Sequence, residues 1–350
     1  MVKRGVAYAL GSAVLFGIST PLAKVLLGAA PPLVLAGLLY AGSGMGLAIV
    51  LAARRVLARE THPLSLPVGR EWLWLGSAIV FGGIVGPVLL MRGLLVIPAS
   101  SASLLLNLEA VFTALLAWFL FRENFDRRIA LGMLAIVAGG VLLSWQPDAR
   151  SGTGAGALLV MAACACWALD NNLTRRVSTS DATFLAGLKG IVAGTVNLGL
   201  ALALGYALPA FPIIGAAAVL GFVGYGVSLT LFVLALRHLG TARAGAYFSV
   251  APFFGAAVAL LIYADAVTWQ LVIAGLLMAV GTWLHVTEHH EHRHIHARQA
   301  HSHEHTHDEH HGHEHDAGWD GTEPHVHTHT HDRLAHAHEH YPDVHHRHEH

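Results

Sequence analysis

Ten stretches of this chain are each about 20 residues long and almost wholly apolar, and very few structures can absorb such a pattern. They lie near 5–27, 32–53, 72–92, 98–121, 128–146, 155–173, 182–205, 211–235, 243–263 and 268–287. A bilayer's hydrocarbon core is about 30 Å thick and a helix rises about 1.5 Å per residue, so each stretch is long enough to cross. Inside lipid every backbone polar group must be satisfied within the protein, and a continuous apolar run does this as a helix. Of the 350 residues, 54% are hydrophobic and 12% are charged, whereas a soluble domain carries roughly 25% charge. The sequence therefore predicts an all-α membrane protein with ten transmembrane helices. The first run follows Lys3 and Arg4 and continues to Leu27, which is long enough to span, so it reads as a helix and not as a cleaved leader.

The near-zero formal charge hides a division. Residues 1–287 hold 17 Lys and Arg against 9 Asp and Glu, while residues 288–350 hold 4 Arg against 13 Asp and Glu. With the N-terminus in the cytoplasm, the inner segments hold Lys3, Arg4, Arg54, Arg55, Arg59, Arg70, Arg122, Arg127, Arg128, Arg175, Arg176, Arg237 and Arg243. The outer segments hold Arg92 and Arg150. Basic residues favour the cytoplasmic side, so the expected placement is a plasma (inner) membrane with both termini cytoplasmic. No basic stripe interleaved with aromatics points to nucleic acid. Cys164 and Cys166 share one apolar run and stand about 200° apart on a helix, so they read as small buried hydrophobes. Gly42 with Gly46, and Gly190 with Gly194, have the spacing that lets two helix backbones approach closely.

The chain also repeats. Shifted by 142 residues, NLEAVFTALLAWFLFRE (107–123) falls on SVAPFFGAAVALLIYAD (249–265), and Gly139 falls on Gly281. Shifted by 151, FGISTPLAK (16–24) falls on WALDNNLTR (167–175) and Lys24 lands on Arg175. The repeats are 5–146 and 155–287, with a tail at 288–350. Five spans is an odd number, so two such halves are expected to be inverted in the membrane, a transporter pattern with its site at mid-depth.

The ten spans, the five-plus-five repeat, LEAVFTALLAWFLFRE (108–123) and WALDNNLTRR (167–176) resemble the EamA branch of the drug/metabolite transporter superfamily. The second half carries the Pro-hydrophobic-Phe core of that family as Ala251-Pro252-Phe253-Phe254; the first half has Ala110 where the proline is usual. The resemblance implies a secondary transporter working by alternating access, often an exporter of amino acids or other small metabolites.

A polar or charged group inside hydrocarbon is costly, which makes each one a candidate for the transport pathway. Glu109 lies near the middle of the fourth span, either as a proton carrier or as a carboxyl bonded to a neighbouring helix. Asp170, near the inner end of the sixth span, and Lys189, about 12 Å into the seventh, are expected to form a pair across a short loop. That pair reads either as a cytoplasmic gate or as a static structural contact. Lys24, near the outer end of the first span, fits a side chain snorkelling to the interface. Asn107, Asn171, Asn172, Asn197, Thr20, Tyr225, Tyr247 and Ser249 can line a cavity or glue helices together, and Trp167 is a cavity wall or packing.

The tail is about two-fifths histidine, often at every second position, which in extended chain puts imidazoles on one side. His301, His303, His305, His307, His310, His311, His313, His315, His325, His327, His329, His331, His336, His338 and His340 are the candidate ligands. Imidazole suits zinc, copper, nickel and iron, and nearby carboxylates such as Glu304, Asp308 and Glu314 can complete a shell, so zinc, nickel or cobalt is expected at the tail. The segment is too polar to fold alone and is expected to be a disordered metal-binding tail; a polyelectrolyte responsive to pH is the competing reading.

Two functions compete. One is a secondary exporter of small metabolites with the tail as an accessory. The other is a divalent transition-metal transporter with the tail as collector or sensor. The spans hold no histidine before His285 and no chelating Cys pair, so they offer little to a dehydrated zinc or nickel ion, which favours the first. No phosphate loop or nucleophile motif suggests an enzyme, and no cofactor is required. The expected partners are the lipid bilayer, a small-molecule substrate, divalent metal ions at the tail and, left open, a second copy in a homodimer.

Overall fold

The computed structural model describes residues 2–57, 65–121, 127–145, 153–177, 180–287, 291–296, 299–305, 325–331 and 334–339. It has ten helices long and apolar enough to cross a membrane. In order they are α1 (Val2–Leu27), α2 (Pro32–Leu57), α3 (Glu71–Leu94) and α4, in two pieces (Ala99–Leu105 and Leu108–Phe121). Then come α5 (Arg127–Ser144), α6 (Thr153–Arg175) and α7 (Ala182–Ala203). α8 runs without interruption through Phe211–Leu220, Gly221–Val227 and Ser228–Phe248, followed by α9 (Ala251–Tyr263) and α10 (Trp269–Val286); the eighth crossing is Phe211–Leu236, and the ninth, Ala244–Tyr263, joins the last residues of α8 to α9. The loop that composition suggests before residue 243 is therefore helical. Helix starts carry their own caps: the Asp181 carboxylate accepts the Phe184 N–H at 2.8 Å and the Thr268 hydroxyl accepts the Leu271 N–H at 3.2 Å. Each satisfies a first-turn donor that has no partner within its helix.

α3 and α8 each contain one π-helical stretch, Ile79–Val85 and Gly221–Val227. The two are offset by 142 residues, the spacing of the sequence repeat. A second irregularity falls within one residue of the same offset. α4 breaks at Leu106 and Asn107, and the chain between α8 and α9 breaks at Ser249 and Val250. Pro252 accounts for the second break, because proline in the first turn cannot continue a preceding helix. The first break forms without a proline. There the Asn107 amide turns back to donate to the Leu104 carbonyl at 3.2 Å, competing with the helical pattern.

Glycines set the closest helix contacts. A Cβ on Gly44, Gly190 or Gly194 would run into the facing backbone, so α2 and α7 touch main chain to main chain. Gly37 faces Leu198 and Gly187 faces Leu47, so this pair is antiparallel. Gly42 and Gly46 instead serve α8, against Ala218 and Phe222. α5 and α10 meet reciprocally. A Cβ on Gly139 would stand 2.9 Å from Met278 and 3.0 Å from the Ala274 carbonyl, while one on Gly281 would stand 2.6 Å from Ile136 and close upon the Gly132 carbonyl. Ile136 and Gly132 are the 142-residue counterparts of Met278 and Ala274. The two helices thus run antiparallel and touch through positions that match at the 142-residue spacing.

The tail is a separate unit, His289–His350. Its described residues form four short strands: β1 (Glu291–His296), β2 (Gln299–His305), β3 (His325–His331) and β4 (Leu334–Glu339). β1 pairs with β4 and β2 with β3, both antiparallel, with His301 opposite His329, His303 opposite His327 and His305 opposite His325. His307, His310, His311, His313, His315 and His340 lie outside the described residues, as do the tail's side chains, on which the expectation of a coreless segment turns.

Candidate functional site

The polar groups of the spans gather where α4, α6 and α7 meet α2 and α3. α6 and α7 are joined by a short connection, so residues a few positions from each end face one another. Asp170 and Lys189 do so: the ammonium lies 2.6 and 2.8 Å from the two carboxylate oxygens. One turn along α6, the Thr174 hydroxyl donates to Asp170 at 2.8 Å and accepts from Lys189 at 3.2 Å. All three residues are buried, Lys189 at 2% exposure. Every donor position of the ammonium is therefore used, which is what makes a full charge tolerable there.

One residue further along α6 a second carboxyl is held. The Asn171 amide donates to Glu109 at 2.7 Å, and its side chain also reaches Thr113 of α4 at 3.5 Å. Glu109 is buried at 9% exposure. Asn172 donates to the carbonyls of Ala168 and Thr113, at 2.9 and 3.3 Å, which leaves its own oxygen without a partner among the described residues.

The third part of the site is aromatic. Phe16 packs edge-on against Trp167 and Tyr225 with ring centres 5.7 and 5.9 Å apart, and against Phe248 at 5.5 Å; Tyr40 meets Tyr225 at 5.4 Å. The Trp167 indole and the Tyr40 hydroxyl both donate to the Gly82 carbonyl, at 3.0 and 2.7 Å. Gly82 has no Cβ because one would collide with the Asp170 carboxylate; its 142-residue counterpart Gly224 faces Ser19 in the same way. Ser19 is the 151-residue counterpart of Asp170, and Phe16 that of Trp167. Matching residues of the two repeats therefore line one region, with the charged pair on one side only. Buried hydroxyls of Thr20, Ser103 and Tyr225, and the amide oxygen of Asn197, have no partner among the described residues. They are polar groups held ready inside an apolar wall.

The remaining candidates sit elsewhere. Asn107 ties α4 to α10 through Thr282 at 3.4 Å and the Met278 sulfur at 3.8 Å. Tyr247 packs beside the small apolar cluster of α1 and α8, and Ser249 bonds back to Ala246 at the helix break. Lys24, half-buried at the end of its span, donates its ammonium to the Ile97 carbonyl in the turn before α4 and lies 5.7 Å above the Tyr263 ring. Among the described residues no three His, Cys, Asp or Glu side chains converge as a metal cage. An apolar cleft of about 230 Å³ beside Leu108, Val141, Trp145 and Met161 has one hydroxyl, Ser144, already bonded to Gly140, and suits no polar solute.

The description of the EamA-like transporter family matches residues 3–145 and, a second time, residues 154–287. The chain belongs to the EamA-like transporter family. As a family member it is a multi-pass membrane transporter of the drug/metabolite type and not an enzyme. An "Uncharacterized transporter" of Methanothermobacter thermautotrophicus is 30% identical over 284 residues, 77% of this chain and 82% of that protein. A "Probable amino-acid metabolite efflux pump" of Salmonella typhimurium is 30% identical over 172 residues, 47% of this chain and 51% of the pump. A solved structure titled "Crystal structure of protein" shares the fold at a TM-score of 0.61 and 20% identity, covering 79% of this chain and 95% of that one.

Within this EamA-like transporter, several site residues escape sequence reasoning. Tyr40 and Phe16 look like ordinary members of apolar runs. Thr174 carries a usable signal, because a hydroxyl four residues after Asp170 lies on the same helix face. Gly82 and Gly83, five and four residues before Pro87, carry another, since proline leaves carbonyls behind it without a donor.

Proposed function

We propose that this chain is a secondary active transporter that exports small metabolites, amino acids or related compounds, by alternating access. Its two five-helix halves, inverted in a plasma (inner) membrane with both termini cytoplasmic, share one chamber. The observation that carries the reading is the contact of Phe16 with Trp167, counterparts in the repeat, beside Glu109, the Asp170–Lys189 pair and the unpartnered hydroxyls of Thr20 and Tyr225. A chamber lined by matching parts of both halves opens to either side when one half rocks against the other. The antiparallel meeting of α5 and α10 supports the inversion, and the likeness to the Salmonella efflux pump supports export.

In this reading Glu109 takes up and releases the coupling proton, held toward the chamber by Asn171. Trp167, Tyr40 and Tyr225 wall the substrate, and Asp170 with Lys189 closes the cytoplasmic side. The histidine tail binds zinc, nickel or cobalt in several loose sites and is an accessory to transport. The test is export of radiolabelled L-amino acids, singly and as analogues, from cells with and without the full-length chain, alongside growth in zinc, nickel and cobalt. Protection from an organic toxicant, kept when the chain is cut after Val286, is the expected result. Protection from the metals alone, lost on truncation, would make metal the cargo and overturn the reading.

A further inference from the structure

The two π-helical stretches match in position and differ in how their backbone is satisfied, and the difference begins with one residue. In a π turn the carbonyl of residue i accepts from the N–H of i+5, and in an α turn from that of i+4. Gly86 N–H bonds to Phe81, so the next carbonyl, Gly82, would look to residue 87, which is Pro87 and has no N–H. Pro87 equally denies Gly83 an α-type donor. The structure supplies both carbonyls from side chains: Tyr40 and Trp167 donate to Gly82, and the Asn197 amide donates to Gly83 at 3.2 Å. Helices α2, α6 and α7 thereby clamp α3. The Asp170 carboxylate, paired with Lys189, sits directly against Gly82.

The counterpart in α8 is built otherwise. Leu229 stands in the place of Pro87 and keeps its N–H. The N–H of Ser228 is shared between the Val223 carbonyl, five residues back, and the Tyr225 carbonyl, three back, so its π bond is divided where that of Gly86 to Phe81 is not. The counterparts of the clamping side chains cannot donate: Trp167 corresponds to Phe16, Tyr40 to Ile191 and Asn197 to Gly46. Tyr225 replaces Gly83, and its hydroxyl has no partner among the described residues. The Thr230 hydroxyl of α8 itself donates to the Gly226 carbonyl at 2.9 Å, and Ser12 of α1 donates to the Ser228 carbonyl at 2.8 Å just past the turn. Among the described residues, no side chain from another helix donates to a carbonyl of 221–227 as Tyr40, Trp167 and Asn197 donate within 79–85.

We infer that the π turn of α8 is the moving hinge of the transport cycle, shifting between π and α register, while that of α3 is a fixed pivot clamped by Tyr40, Trp167 and Asn197. Such a shift removes one residue from a turn and rotates the helix beyond it, so Tyr225 and the inner part of α8 turn relative to Phe16. The inference rests on the transport reading for its purpose and not for its physics.

Hydrogen exchange of the full-length chain in lipid nanodiscs tests it without any substrate. Amides of 221–227 are expected to exchange about tenfold or more faster than those of 79–85, the effect of one or two net hydrogen bonds. Tyr40→Phe is expected to raise exchange in 79–85 several-fold and leave 221–227 unchanged. Equal protection of the two stretches in the unaltered chain, or faster exchange in 79–85, overturns the inference, whatever the variant does. The asymmetry in a chain that exports no amino acid would count against the transport reading alone.

Discussion

The Lys189 ammonium lies within 2.8 Å of both oxygens of the Asp170 carboxylate, and both residues are buried. Two charges inside hydrocarbon tolerate this only together. Removing one partner leaves the other uncompensated, at a cost of about 3–5 kcal/mol, whereas removing both restores neutrality. Asp170→Asn and Lys189→Met are therefore each expected to cut the folded yield and lower the melting temperature, and the double variant to recover most of the loss. Fluorescence-detected size exclusion and thermal melts of the three variants measure this. A double variant no better than the singles would break the pairing.

Gly82 is expected to refuse even a methyl group. The methyl of Gly82→Ala would overlap the Asp170 carboxylate, so α3 and α6 must part, at a cost of about 1–3 kcal/mol. Gly199→Ala and Gly215→Ala meet open space and are expected to leave stability unchanged or slightly raised. Melting temperatures of the three variants decide it.

Glu109→Gln keeps the size of the side chain and removes its proton cycle. Asn171 can still donate to the new amide oxygen, so folding is expected to survive while export driven by a proton gradient falls about tenfold or more, as loss of a proton-relay group does. Unchanged export by the Gln variant would assign Glu109 to helix packing.

Cutting the chain after Val286 removes the tail at the edge of the family match. Export of the organic substrate is expected to continue, while zinc or nickel binding, read by equilibrium dialysis of the purified proteins, is expected to fall to background. Imidazole at alternate positions is the metal-binding chemistry that the cut removes.

Much of the fold is legible in the sequence because lipid imposes it. Each span must be an apolar run of fixed length, so Val34, Leu35, Leu39 and their neighbours announce α2 before any packing is known. The Asp170–Lys189 contact is legible for a related reason: two isolated opposite charges on helices joined by a short loop have few other places to go. The hidden part depends on backbone detail. The π turns leave no mark in hydropathy, and the helix break at Asn107 forms without the proline that signals its counterpart beside Pro252. Tyr40 and Phe16 are indistinguishable from lipid-facing aromatics until the neighbouring helices are in place. Lys24 reaches the span end as its position suggests, and what the sequence leaves out is its partners there, the Ile97 carbonyl and the Tyr263 ring.

Inversion of the two halves underlies the proposed transport cycle, and the loops before α3 and α8 test it most directly. Val68 and Leu208 are both exposed and precede matching helices, 76% and 50% accessible. In a chain with Cys164 and Cys166 replaced by alanine, Val68→Cys and Leu208→Cys are labelled in intact cells with a maleimide that cannot cross the membrane. The expected result is labelling at 208 from outside and at 68 only after the membrane is opened. Labelling of both positions from the same side would contradict the inversion and remove the shared chamber with it.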